Sequence, residues 1–223
     1  MHKRLHTAAA GLLAAVATVA GASAQDTINA RETCIGEFRG NIAPEAFIAA
    51  CTKYLESGSA EPEEKTDALA NRASMQITVN RLDLALEDCR AALRTGAHLP
   101  WPEKVCGDVY FARGEYDDAV KHYVYATRAA DKFFVEAWKG RITAELAAKR
   151  NDDAVTDAST LIVHAKDDAA AYVLRGNAYL ALAAYAPALA DFETALRLAP
   201  RLQEAVAGRD RANAALLTGK APP

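Results

Sequence analysis

Residues 169–202 read AAAYVLRGNAYLALAAYAPALADFETALRLAPRL. Two helical patterns meet in this stretch. Gly176 in the first and Ala188 in the second are small, and Tyr172, Tyr179, Tyr185 and Phe192 supply bulk around them. Ala195 follows on the face of Ala188, and Pro200 closes the second pattern, because proline cannot continue a helix. So Ala-rich a segment favours helix on propensity alone. Its two halves are each too short to be stable in water and must pack against something.

The same arrangement recurs upstream. Ala85, Ala119, Ala154 and Ala188 step by 34, 35 and 34 residues. Each is preceded by a triplet: Asn71-Arg72-Ala73, Val105-Cys106-Gly107, Gly140-Arg141-Ile142 and Leu174-Arg175-Gly176. Each is followed by Ala92, Ala126, Leu161 or Ala195. This self-similarity resembles the tetratricopeptide-repeat family, whose helix–turn–helix unit has that length. Residues 169–202 carry nearly every signature position, with Tyr172 where the family has Trp. Residues 100–133 match through Gly107, Tyr110, Gly114, Tyr116, Ala119, Tyr123 and Ala126. Residues 135–168 keep Trp138 and Ala154 but depart at Ile142, Glu145, Ala158 and Leu161. Residues 66–99 keep Ala73, Ala85 and Ala92 and lack the aromatics.

The resemblance implies an all-α fold: a right-handed superhelix of antiparallel helix pairs, with a degenerate N-terminal unit and a C-terminal capping helix. Gly107 and Gly176 are expected to face Ala119 and Ala188 across their pairs, with the aromatics filling the space toward the next unit. One unit cannot bury its apolar face alone, so stacking supplies the core. Residues 25–65 are expected to form the degenerate cap, with Pro44 in the first turn of a helix and a stop near Gly58. Residues 66–202 hold four units (66–99, 100–133, 135–168, 169–202), and residues 203–223 the capping helix and tail. In that helix Leu202, Val206, Ala212 and Leu216 share the inner face, while Arg209, Asp210 and Arg211 face water.

Residues 1–24 read as a leader rather than as fold. Lys3 and Arg4 precede a largely apolar run from Leu5 to Gly21, and Ala22-Ser23-Ala24 offers the small residues of a cleavage site. Export with cleavage after Ala24 is expected, with retention as an N-terminal anchor the alternative. No later segment is apolar for long enough to span a membrane. The chain is 51% apolar with a net charge of −3. Without residues 1–24 the 26 basic residues become 24, against 29 acidic ones. A mild negative balance without a basic stripe argues against nucleic acid as a partner.

Cys34, Cys51, Cys89 and Cys106 are an even set in a chain read as exported, which points to disulfides. Cys34 and Cys51 are 17 residues apart, as are Cys89 and Cys106. In repeat phase Cys34 and Cys106 share one first-helix position, and Cys51 and Cys89 one second-helix position. The expected bridges are therefore Cys34–Cys51 and Cys89–Cys106, since Cys51–Cys89 would need two second helices to meet.

The sequence carries no zinc-protease His pair, Gly-x-Ser-x-Gly elbow, phosphate loop or Cys-x-x-Cys. No catalytic, cofactor or metal set is assigned. The acid pairs Asp152-Asp153 and Asp167-Asp168 read as helix starts and turns. The resemblance implies a non-catalytic scaffold of the cell envelope, periplasmic or secreted, holding a peptide or a segment of another envelope protein in a concave groove. An assembly or secretion factor, and an enzyme or small-ligand receptor with a dispersed site, are the alternatives. In the family the first helices line the groove, and residues facing it recur three or four apart. This selects Trp101, Lys104, Asp108 and Phe111, then Glu136, Lys139 and Thr143 with Leu146, then Asn177 with Ala170, Val173 and Leu180. The family's carboxylate-gripping mode uses a Lys, Asn and Arg cluster, which Lys104, Lys139 and Asn177 resemble across three units.

Overall fold

The structure is a computed structural model that describes residues 26–36, 42–95, 99–130 and 132–218. The leader, residues 1–24, lies outside the described residues, as does the tail from 219. All regular structure among the described residues is helical. The chain divides into two compact units, residues 1–97 and 98–223.

The first unit holds α1 (26–35), α2 (Pro44–Glu56), α3 (Pro62–Thr78) and α4 (Leu82–Leu93). Pro44 and Pro62 open their helices, where a missing N–H leaves nothing unsatisfied. Ala30 and Cys34 of α1 pack with Phe47, Cys51 and Tyr54 of α2 and Ala68 of α3. A disulfide joins Cys34 to Cys51 with Cα atoms 4.8 Å apart, well inside the range a bridge allows. Cys89 and Cys106 are disulfide-bonded too.

The second unit holds α5 (Pro100–Ala112), α6 (Tyr116–Ala129), α7 (Val135–Ala147), α8 (Asn151–His164), α9 (Ala169–Ala181), α10 (Tyr185–Leu198) and α11 (Gln203–Thr218). Each helix packs on the next in the chain. The connectors inside each pair span only three residues, which leaves antiparallel neighbours as the geometry. Beyond these contacts, α5 touches α7, α7 touches α9 and α9 touches α11, while α6, α8 and α10 do not touch one another. The first helices thus form a continuous layer and the second helices fan apart behind it.

The repeat glycines make room for aromatic rings. A Cβ on Gly107 would lie 2.7 Å from the ring of Tyr123, and one on Gly176 2.9 Å from the ring of Phe192. The same two rings press still closer on Gly140 and Gly208 of the following first helix. Each ring is therefore wedged between two glycines, one in its own pair and one in the next. At Gly107 and Gly176 the ring fills the gap that the absent side chain leaves. The capping helix differs from the sequence expectation. Ala205, Gly208, Ala212 and Ala215 are its buried residues, and Leu216 is 47% exposed. Leu216 lies about 100° around the helix from Ala215 and so falls off that buried line.

The turns within the pairs α3–α4, α5–α6, α7–α8 and α9–α10 have one form. Asn80, Gly114, Lys149 and Ala183 occupy the same repeat position and all have φ between 56° and 78°. Around each, two backbone bonds close the helix end, such as Ala184 N–H to Tyr179 O at 2.8 Å and Ala183 N–H to Leu180 O at 3.0 Å. This is the Schellman motif, which wants glycine at its left-handed residue. Only Gly114 supplies one. Ala183→Gly is expected to raise stability by about 0.5–1 kcal/mol, and Gly114→Ala to lower it by a similar amount. Urea unfolding of the two variants checks this; equal midpoints would show that the turn is not strained.

Candidate functional site

The layer of first helices in the second unit carries all twelve residues named from sequence for a groove, although Val173 is buried in the core. Lys104 and Asp108 sit one turn apart on α5, and Lys104 Nζ lies 2.7 Å from Asp108 Oδ2. The ammonium also stands 5.4 Å over the Trp101 ring. Asp108 Oδ1 accepts a 2.7 Å hydrogen bond from the hydroxyl of Tyr123, reaching through from α6. Burial first, and then Asp108, hold that phenol protonated far above its ordinary range. Phe111 leans on Tyr116 with ring centroids 5.4 Å apart, so it helps to build the turn into α6.

On α7, Lys139 Nζ reaches Asp168 Oδ2 at 2.5 Å, just ahead of α9. Asp168 is also the N-cap of α9, accepting from Ala170 N–H at 3.0 Å. One aspartate thus closes a helix end and neutralises a groove lysine. Thr143 donates to the Lys139 carbonyl at 2.8 Å, and Glu136 is exposed. On α9, Asn177 Oδ1 accepts from Arg211 Nη2 of α11 at 3.1 Å. Arg211 was not among the residues named from sequence, although it lies 34 residues after Asn177, at the same repeat position.

The named residues therefore share one layer but not one cluster. Lys104 and Lys139 each bond an acid of this chain, and the cation that meets Asn177 is Arg211. A ligand carboxylate would meet two ammonium groups already neutralised from within. No group of three or more His, Cys, Asp or Glu among the described residues comes close enough to hold a metal ion. His122 Nδ1 lies 2.9 Å from Glu103 Oε2, and its ring stacks on Tyr110 at 5.0 Å. This contact joins α5 to α6, with Glu103 buried. In the first unit, Ile28, Arg31, Tyr54, Ser57, Ser59 and Glu64 line an open hollow of about 450 Å³. There Arg31 and Tyr54 both bond Glu64, which lowers the Glu64 pKa, chiefly through Arg31.

A second recurring group escaped the sequence reading. Arg72 closes a fork on Asp88 at 2.7 Å through both Nε and Nη2, and Arg175 does the same with Asp191 at 2.8 Å. The third arm of each guanidinium bonds a hydroxyl on the preceding helix pair, Thr52 for Arg72 and Ser159 for Arg175. Each such arginine ties its own pair together and fastens it to the one before. The signal was present: the arginine recurs in three of the four triplets, always sixteen residues before an aspartate.

Residues 169–202 match the family model of the tetratricopeptide repeat. No curated protein matches the chain. Among solved structures, the first TPR of Spaghetti (RPAP3) bound to the HSP90 peptide SRMEEVD is similar, with 28% identity and a TM-score of 0.50. The match covers 53% of this chain and 93% of that one. YrrB, described as a TPR protein with an unusual peptide-binding site, has 17% identity and a TM-score of 0.63, covering 75% of this chain and 84% of that one. TTC0263 of Thermus thermophilus has 18% identity and a TM-score of 0.58, covering 78% and 91%. The last two show the fold alone. No helix among the described residues is long and apolar enough to cross a membrane.

Proposed function

We propose that the first-helix layer of the second unit binds an extended segment of another protein of the cell envelope, and that the chain acts as a non-catalytic scaffold. The observation that carries this reading is the series of contacts α5–α7–α9–α11, which sets Lys104, Lys139, Asn177 and Arg211 along one continuous surface. A tetratricopeptide-type array offers such a surface without folding around its ligand. The similar Spaghetti structure, solved with a bound peptide, supports the same use. Placement in an oxidising compartment is supported by the leader pattern and by the absence of any free cysteine.

The pairing of Lys104 with Asp108 and of Lys139 with Asp168 supports a mode that does not grip a carboxylate. Binding rests on apolar contact and on neutral hydrogen bonds, not on a terminal carboxylate. A displayed-peptide selection against the full chain supplies ligands for the test. Each is then measured by fluorescence anisotropy as the C-terminal acid and as the amide. The two forms are expected to bind within about twofold, and Trp101→Ala with Lys139→Ala to weaken both by about tenfold. Unchanged affinity in the double variant, with helicity retained, would sink the groove reading. A strong preference for the acid form would instead restore a carboxylate grip.

A further inference from the structure

The three arginine–aspartate positions are equivalent in sequence but not in structure. Between α7 and α8 the fork does not form. Arg141 Nε donates to Glu145 Oε1 at 3.0 Å and lies 2.6 Å from Asp157 Oδ2, a buried oxygen that receives no hydrogen bond. The intruder is Glu145, one turn after Arg141. The equivalent residue is Gln76 beside the Arg72–Asp88 fork and Tyr179 beside the Arg175–Asp191 fork. Neither brings a charge. Glu145 is 0% exposed, and its Oε2 has no hydrogen-bond donor. A buried carboxylate oxygen without a donor is strongly unfavourable, and the single charge of one guanidinium cannot neutralise two carboxylates.

We propose that Glu145 is held protonated at neutral pH, that its proton bridges to Asp157 and completes the α7–α8 clamp, and that alkaline pH weakens the clamp by removing it. Protonated Glu145 then copies Gln76, a neutral donor beside an arginine–aspartate pair. Burial, followed by the hydrogen bond to Asp157, raises the Glu145 pKa to about 8 against the opposing pull of Arg141. Because the folded group keeps its proton to higher pH than the unfolded one, this stability is full below about pH 4.5 and is lost as pH rises through about 8.

The other charged groups around α7 are occupied elsewhere. Arg150, at the start of α8, bonds Asp153, though it also feels Glu145 and, from α6, Asp117. On α5, Asp108 is bonded to Lys104 and to Tyr123 of α6. On α9, Arg175 is closed on Asp191. The proposal is independent of what the groove binds.

The test is a pH titration of the full chain. Thermal unfolding of Glu145→Gln and of the unaltered protein is compared from about pH 5 to 9. The gap in Tm is expected to widen in favour of the variant by at least about 4 °C. Parallel profiles would overturn the proposal. In parallel, carbon NMR of the Glu145 carboxyl in the unaltered protein is expected to titrate well above the ordinary carboxylate range, and at lower pH in Asp157→Asn. A midpoint in the ordinary range, or one that Asp157→Asn leaves in place, would equally overturn it. This second measurement decides the matter even if Glu145→Gln folds poorly.

Discussion

Arg175→Ala is expected to lower stability by about 3 kcal/mol, among the largest effects available to a single substitution in this chain. The side chain lies at the junction of two helix pairs. Its Nε and Nη2 grip Asp191 of α10 at 2.8 Å, and its Nη1 reaches Ser159 of α8 at 3.3 Å. The guanidinium also stands 6.0 Å from the rings of Tyr172 and Tyr179. Removing it leaves Asp191, only 5% exposed, without a counter-charge. That orphaned charge, more than the lost contacts, carries most of the effect. The control is Arg175→Met with Asp191→Leu, which deletes both charges and should recover most of the loss. Urea unfolding gives the size of the change, and hydrogen exchange in α9 and α10 locates it. A loss below about 1 kcal/mol in the single variant would show that the fork is no more than a surface pair.

Replacing Cys34 and Cys51 by Ala together is expected to lower stability by about 3 kcal/mol, the chain-entropy value for a loop of this length. The helix at stake is α1, residues 26–35. A helix so short does not persist in water by itself. Besides the bridge, its anchors include Ala30 and Ile35 in the core, Asn71 Nδ2 donating to the Cys34 carbonyl at 2.9 Å, Arg31 on Glu64 and Asp26 on Lys53. The first unit should therefore lose protection at α1 before it loses α3 and α4. Limited proteolysis with mass analysis follows the order, and urea titration gives the size. An unchanged midpoint together with an uncut α1 would show that packing alone retains the helix.

The repeat could be read from the sequence because it is a local, periodic property. The 34-residue step of the alanines, Gly107 and Gly176 at first-helix positions, and Pro44 and Pro62 at helix starts each follow from backbone geometry or side-chain size. The Cys34–Cys51 bridge was legible for the same reason, since repeat phase alone sets two antiparallel helices side by side. Other features ran against local preference. Lys149 and Ala183 take left-handed turns that propensity would give to glycine, because the packing of the helix pair on both sides fixes the turn. Leu216 stays exposed because it lies about 100° around α11 from Ala215, off the buried line of Ala205, Gly208, Ala212 and Ala215.

The candidate site divides along the same line. Sequence determined which residues lie on the first helices: Trp101, Lys104, Asp108 and Phe111 on α5, Glu136, Lys139 and Thr143 on α7, and Asn177 on α9. Tertiary structure decided what those residues are free to do. Lys139 is neutralised by an aspartate from the next connector, Asn177 is met by an arginine from α11, and Arg141 is divided between two acids on different helices. A period records which face of a helix a residue occupies. The charge it finally meets depends on the neighbouring helix and on the distance between them, and Coulomb and desolvation energies change steeply over those few ångströms.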